Sequence, residues 1–286
     1  MENKIYQQVT DRIISELERG AAPWIKPWTT FASAGEDQNI ISKKPYNGIN
    51  RVILGMSGFS SSKWASFKQW QQLGATVRKG EKGTMIVFYS PIKKDSVNPV
   101  NGQIESSAYH CLKSYFVFNA DQVEGIEIEK PVITEKPFID VPALEKRVSD
   151  TGAVINHGSS SAFYRRDSDS IHLPNKGAFK SESDYYATLL HELIHWSGAN
   201  FRLDRTKGKR FADTAYAFEE LVAELGAAFL CQDYQIQGDL RHADYIGSWL
   251  KCLKDDNKAI FNAAALAQKA ADYVNTIKAA DNLKAA

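Results

Sequence analysis

The sequence predicts an α+β protein of two domains, a small N-terminal α/β domain over residues 1–125 and a helix-rich C-terminal domain over residues 143–286, joined by a linker over 126–142. Three observations lead there. A chain of 286 residues exceeds one ordinary core and suits units of roughly 100–200 residues each. Residues 124–142 (EGIEIEKPVITEKPFIDVP) hold three prolines and no helical periodicity, the pattern of a connection. Charge is also divided: residues 1–125 carry 15 Lys+Arg against 11 Asp+Glu, and the remainder 20 against 23, so the net +1 of the whole chain conceals a basic segment beside a mildly acidic one.

Taken in order, Ile5, Val9, Ile13, Ile14 and Leu17 recur at helical spacing before Gly20 and Pro23, which predicts an amphipathic helix over 5–18. After a loop-rich stretch, short helices are expected at 49–56 and 66–73, the second opened by Ser66 with Gln69 at capping-box spacing. Residues 75–78 and 85–89 read as strands around a turn at 79–83; 93–102, rich in Asp, Asn and Pro, reads as a hairpin loop; 112–119 completes a small sheet. Beyond the linker, helix and strand signals alternate to Pro174, and from Ser181 nearly everything is helical, ending in an Ala/Lys-rich tail after Ala263. With 43% hydrophobic and 24% charged residues, no apolar run nears the roughly 18–20 residues that span a bilayer, and the N-terminus lacks a secretory pattern. A cytoplasmic protein without a membrane partner is expected. Cys111, Cys231 and Cys252 are widely spaced and read as reduced, buried thiols.

The stretch His191-Glu-Leu-Ile-His195-Trp-Ser-Gly198 carries the chemistry. Residues i and i+4 share a helix face, so His191 and His195 can offer ring nitrogens to one ion, with Glu192 beside them as general base. Tyr186, Leu189, Leu190, Leu193, Ile194 and Trp196 occupy another arc of the wheel, so the two histidines stand off the apolar stripe where a core histidine would lie. A catalytic zinc needs three protein ligands and an open position. The third histidine of the metzincin pattern is replaced by Phe201, which turns attention to a carboxylate on a following helix. The run from Tyr216 to Tyr234 offers Glu219, Glu220 and Glu224. Glu220 and Glu224 share a face with Ala217, Ala227, Ala228 and Cys231, small residues that permit close helix approach. Glu220 is therefore the expected ligand and Glu224 an acceptor for a histidine N–H, while Glu219 points about 100° away. The expected ion is Zn2+, with Mn2+ and other divalent metals as alternatives. Such a site suits hydrolysis, Glu192 taking a proton from water, with a peptide bond as the default substrate. Residues 161–174 read as strands beside the cleft, with Tyr164 and His172 as conceivable transition-state donors.

Between residues 38 and 94 there are ten basic residues and one acidic one, Glu81. Interleaved aromatics give a set suited to single-stranded nucleic acid: Lys43, Lys44, Tyr46, Asn47, Arg51, Trp64, Lys68, Trp70, Arg78, Lys79 and Lys82. The competing reading makes Trp64, Phe67 and Trp70 one apolar helix face in a small core. No groove-reading motif is present, so sequence-independent binding is expected.

These motifs carry a family resemblance. PWIKPW at 23–28, KPYNGIN at 44–50, residues 64–71, GATVRKGEKG at 74–83, YFVFN at 115–119, HELIHWSG, Arg202-Leu-Asp-Arg205 and YAFEELVAELGAAFL together resemble the ArdC antirestriction proteins over essentially the full length. The resemblance implies an N-terminal single-stranded-DNA-binding domain joined to a zincin-like metallopeptidase domain, carried by conjugative plasmids to protect entering DNA from host restriction, with a host protein as a candidate substrate. The family's metal motif falls on His191, Glu192 and His195. Many relatives have His where this chain has Ala199, so no further metal contact is expected there. Two other readings stay open: a DNA-dependent metalloprotease that removes or degrades DNA-bound proteins, and a DNA-binding protein whose metal site is only structural.

Overall fold

Helix α1 (Glu2–Glu18) buries Ile5, Tyr6, Val9, Ile13 and Leu17 along one side, as its spacing predicts. Its partners come from the other end of the chain. Thr10 Oγ1 donates to the Asn257 carbonyl (2.8 Å), and Lys254 reaches Glu18 (2.7 Å). The computed structural model describes residues 2–19, 36–97, 104–127, 141–205, 214–236 and 246–278. The 23–28 motif and most of the expected linker lie outside the described residues; the linker's last residue, Pro142, opens a helix.

The N-terminal half is a sheet with two short helices, α2 (Ile49–Gly55) and α3 (Phe67–Gln72). The capping box at Ser66 and Gln69 forms and starts α3. Strands β1 (Gln38–Asn39), β2 (Lys63–Ala65), β4 (Thr84–Val97) and β5 (Ile104–Asn119) lie in the order β1-β2-β5-β4, while β3 (Thr76–Val77) pairs with β6 (Val123–Glu124). The β4/β5 hairpin is longer than expected. Its antiparallel register runs unbroken from Thr84↔Val117 to Val97↔Ile104, so residues 93–97 are strand, not loop. Their low β propensity is overridden by the partner strand, which supplies a continuous backbone ladder. The Asn50 side chain brackets Val87, donating to its carbonyl (2.8 Å) and accepting from its N–H (2.9 Å), which occupies part of the free edge of β4.

The C-terminal half contains α4 (Pro142–Thr151) and a three-stranded sheet of β7 (Val154–His157), β8 (Phe163–Arg165) and β9 (Ser170–Leu173) in the order β7-β9-β8. Helices α5 (Glu182–Ser197), α6 (Thr214–Asp233), α7 (Ile246–Asp255) and α8 (Ala259–Thr276) follow. Most of the alanine-rich tail is α8, whose Ala259, Ala263, Ala264, Ala267, Ala270 and Ala271 are all buried against the helices that carry the site. Among the described residues no helix is long and apolar enough to cross a membrane.

The two halves do not keep separate cores. One cluster joins Val9, Ile13, Val52, Ile53, Val87 and Leu112 to Leu193, Leu221, Leu230 and the alanines of α8. The clusters wholly within the N-terminal half are small, one around Trp70 and Ala75, another around Leu54, Trp64 and Val117. Neither is large enough to stabilise a sheet of this size without the shared core.

Helices α5 and α6 meet at Gly226, where an added Cβ would stand 2.8 Å from Ile194 Cδ1, 2.9 Å from Cγ1 and 3.1 Å from Cγ2. The β-branched Ile194 has little rotamer freedom with which to give way. In an open helix Gly226→Ala would add up to about 1 kcal/mol. Here the overpacking cost, about 1–3 kcal/mol, outweighs that gain. Urea denaturation is expected to report a net loss of roughly 1 kcal/mol; a stabilised variant would refute the close approach.

Candidate metal centre

Helix α5 starts at Ser181, whose hydroxyl accepts from Asp184 N, and ends at Gly198. The apolar arc faces the shared core. The opposite arc, where the histidines stand, is covered by α6, so His191, Glu192 and His195 are 5%, 6% and 7% exposed. Glu220 is similarly buried, and Glu219 and Glu224 more so.

The ends of these side chains converge. His191, His195 and Glu220 each offer a ligand atom within 4.8 Å of the others. His191 Nε2 and His195 Nε2 lie 3.1 Å apart, and the Glu220 carboxylate stands 3.4 Å from each. The second ring nitrogens face outward from this centre. His191 Nδ1 is 3.3 Å from Glu224 Oε2, and His195 Nδ1 is 3.3 Å from Glu219 Oε1. Glu219 is further held by Arg205 through Nη2 to Oε1 (3.0 Å) and Nε to Oε2 (3.2 Å). The wheel separates Glu219 from Glu220, and the structure uses that separation to put one carboxylate on the shared centre and the other behind His195. Sequence reasoning missed Glu219 and Arg205. The available signal was that two ligating histidines need two acceptors, on different sides.

Charge balance tests whether a metal fits. Glu192, Glu219, Glu220 and Glu224 are four buried carboxylates, and among the described residues one buried guanidinium, that of Arg205, pairs with them. Protonating both imidazoles would set two positive donors nitrogen to nitrogen at 3.1 Å. A divalent cation at the centre of the two Nε2 atoms and Glu220 balances the charge without that clash, and His2Glu is a known donor set for a metal with an open position. Without an ion, burial opposes a charged His191, but its hydrogen bonds to the Glu220 and Glu224 carboxylates prevail and push its pKa up to about 10. Burial likewise opposes ionised Glu220, yet the two imidazoles hold it well below the usual carboxylate range. For Glu219, burial is overcome by His195 and Arg205, which bring it down to about 2.

Glu192 makes no hydrogen bond to another described residue. Tyr164 and His172 have other partners: Tyr164 donates to Asp169 (2.7 Å), which itself pairs with Arg202, and His172 Nε2 meets Ser170 Oγ (3.0 Å) and stacks on Phe163.

Comparison with known proteins is consistent along the chain. Residues 3–118 match the N-terminal domain of anti-restriction factor ArdC, and residues 142–266 match a zincin-like metallopeptidase. An uncharacterised protein of Sinorhizobium fredii, y4eC, is 38% identical over 95% of this chain and 91% of its own length. The DNA primase TraC of Escherichia coli is also 38% identical over 94% of this chain, which spans only 27% of that longer protein. Two crystal structures of the antirestriction protein ArdC from plasmid R388 superpose closely. The metal-free one has TM-score 0.79 and 40% identity, over 96% of this chain and 98% of that one. The Mn(II)-bound one has TM-score 0.75 and 37% identity, over 94% and 96%. The chain belongs to the ArdC antirestriction family. Its zincin-like domain implies a divalent metal.

The basic segment of this ArdC-family chain is only partly a surface. Trp64 and Trp70 are 1% and 0% exposed; their indole N–H groups donate to Asp37 Oδ1 (2.7 Å) and the Phe118 carbonyl (2.9 Å). Both are removed from any strand of nucleic acid because the two small cores are built around them. Arg51 is also withdrawn. Its Nη2 donates to the Phe229 carbonyl (2.9 Å), Gln232 Oε1 (2.8 Å) and Asp233 Oδ1 (2.7 Å) on α6. Tyr46 is half-buried beside Trp64. Lys43, Lys44, Asn47, Lys68, Lys79 and Lys82 are exposed; Arg78 is exposed but pairs with Glu81 (2.8 Å). The exposed rings of this half are Phe67, Phe88 and Tyr89, among the aromatics interleaved with its basic residues, and Tyr115 and Phe116, which lie beyond that stretch. By strand alternation Phe88 and Tyr115 share a face with Lys113, and Phe116 lies on the other face with Phe118, whose ring meets Phe67.

Because Glu220 and Glu224 favour a charged His191 in the metal-free centre, an entering ion is expected to displace a proton. Titration calorimetry near pH 7 in buffers of different ionisation enthalpy is expected to show about one proton released per metal, with affinity falling about tenfold per pH unit as pH drops below the His191 pKa. Binding without proton release would contradict the electrostatics of the centre.

Proposed function

We propose that this chain binds single-stranded DNA, largely without regard to sequence, and protects DNA entering a cell from restriction, and that its metal centre is a zinc peptidase site. The observation that carries the DNA reading is the set of solvent-exposed rings on both faces of the β4/β5 hairpin and on α3, near lysines that make no ion pair among the described residues. A single strand needs ring faces for its bases and cations for its phosphates. The names of the R388 relative and of TraC support a role on DNA. Zn2+ is favoured over Mn2+ because two imidazoles with one carboxylate form a borderline-soft donor set, although one relative was crystallised with Mn(II).

In this reading the ion, when bound, supplies Lewis acidity toward water and a carbonyl oxygen. His191, His195 and Glu220 would hold it. Glu192, on the same helix and without a competing hydrogen bond among the described residues, would accept the proton from water and deliver it to the leaving amine. A host protein is the candidate substrate. The free Glu192 favours a second reading, a DNA-dependent protease that clears proteins from DNA. Comparing wild type with Glu192→Ala separates the two. The variant is expected to keep its metal, lose any peptide hydrolysis and still protect plasmid DNA from a restriction enzyme. Lost protection would move the function to proteolysis.

For DNA, Phe88→Ala, Tyr115→Ala and Phe116→Ala are each expected to weaken binding to an oligonucleotide by about 1–3 kcal/mol, with stability little changed. Affinity should fall steeply with salt. Unchanged binding in all three variants, measured by fluorescence anisotropy, would remove the stacking surface.

A further inference from the structure

We propose that Arg205 and Glu219 form the positioning pair of the metal centre, fixing which nitrogen of His195 faces the ion and the angle at which α5 and α6 present their ligands. The proposal rests on the reading of His195 as a ligand. His195 Nε2 faces His191 and Glu220, so its hydrogen belongs on Nδ1, where Glu219 Oε1 accepts it at 3.3 Å. Glu219 can keep that role only as an anion, and at 2% exposure water does not neutralise it. Arg205 does so through two N–H groups, one to each carboxylate oxygen.

The same guanidinium also ties down the last turn of α5. Nη1 donates to Ser197 Oγ (2.9 Å) and Nη2 to the Ile194 carbonyl. The chain turns back to allow this: Leu203 N bonds Ser197 O (3.1 Å), Asp204 N bonds Ala199 O (2.9 Å) and Arg205 N bonds Gly198 O (3.1 Å). Gly198 leaves the space for it, since a Cβ there would lie 2.8 Å from Arg205 Nη2. One side chain thus spans the end of the histidine helix and the helix bearing Glu220. A lysine could supply charge but not this fork of donors.

The test uses the full chain and Zn2+ alone, with affinity measured by chelator competition for wild type, Glu219→Gln, Arg205→Lys and the double variant. Each single change is expected to lower affinity about 10- to 100-fold, and the double variant no further than the weaker single one, because Arg205 acts through Glu219. The downfield Nδ1–H proton resonance of zinc-loaded His195 should move upfield in Glu219→Gln, a change that a merely structural role would not produce. If Arg205→Lys fails to fold, Glu219→Gln and this resonance carry the test. Wild-type affinity with an unmoved resonance in Glu219→Gln, or losses that multiply in the double variant, would overturn the proposal. His195→Ala separates the two layers: full affinity there would mean that the ligand reading itself is wrong.

Discussion

The structure depends on neutralising a buried charge cluster between α5 and α6. Four carboxylates and two imidazoles lie on two helices that Gly226 allows to touch, with the Arg205 guanidinium reaching in from the segment after α5. Each ion taken from water costs several kcal/mol unless paired, so this arrangement persists only because every group has a role in the balance. Arg205 offsets Glu219. Glu220 and Glu224 favour a charged His191 when no ion is present, and a divalent cation held there would take over that balancing role. Metal affinity and the stability of the helix pair are therefore two aspects of one electrostatic arrangement.

The shared hydrophobic core extends this constraint to the N-terminal half. Helix α6 carries Glu219, Glu220 and Glu224 near its start, and Phe229, Gln232 and Asp233, the partners of Arg51, near its end. Gln232 also reaches Asp37, which accepts from the Trp64 indole. A residue of the N-terminal half is thus locked to the helix that carries Glu220. Arg51 reads in the sequence as one more cation of a basic segment, but its guanidinium sits over the Phe229 ring at 4.5 Å and serves the joint between the halves.

Much of the convergence of His191, His195 and Glu220 was legible because its geometry is local. The i, i+4 spacing of His191 and His195, and of Glu220 and Glu224, follows from 3.6 residues per turn, and small residues beside the glutamates point to a close neighbour. The α1 helix, the Ser66 capping box and the strand around 85–89 were legible for the same reason. What depends on distant partners was not. Arg51 meets residues some 180 positions away, and nothing near it in sequence marks that. Trp64, Phe67 and Trp70 suggested one helix face, yet Trp64 lies on β2 opposite Asn119 while only the other two lie on α3. The short β2 strand carries too little pattern to be told from a helix turn, and so the buried rings and the exposed Phe67 exchanged places.

The exchange has a physical logic that bears on function. An indole N–H finds an acceptor easily inside a small core, and Trp64 and Trp70 each do. Phe88, Tyr115 and Phe116, near the base of the long hairpin, are left about half exposed, which forgoes burial worth up to about 1.5–3 kcal/mol for a large apolar side chain. Such rings in water, with Lys113 exposed beside Phe88 and Tyr115, fit the anionic partner with flat faces of its own that is proposed above. A protein partner would favour a continuous apolar patch, whereas the proposed single strand would need ring faces for its bases and ammonium groups for its phosphates.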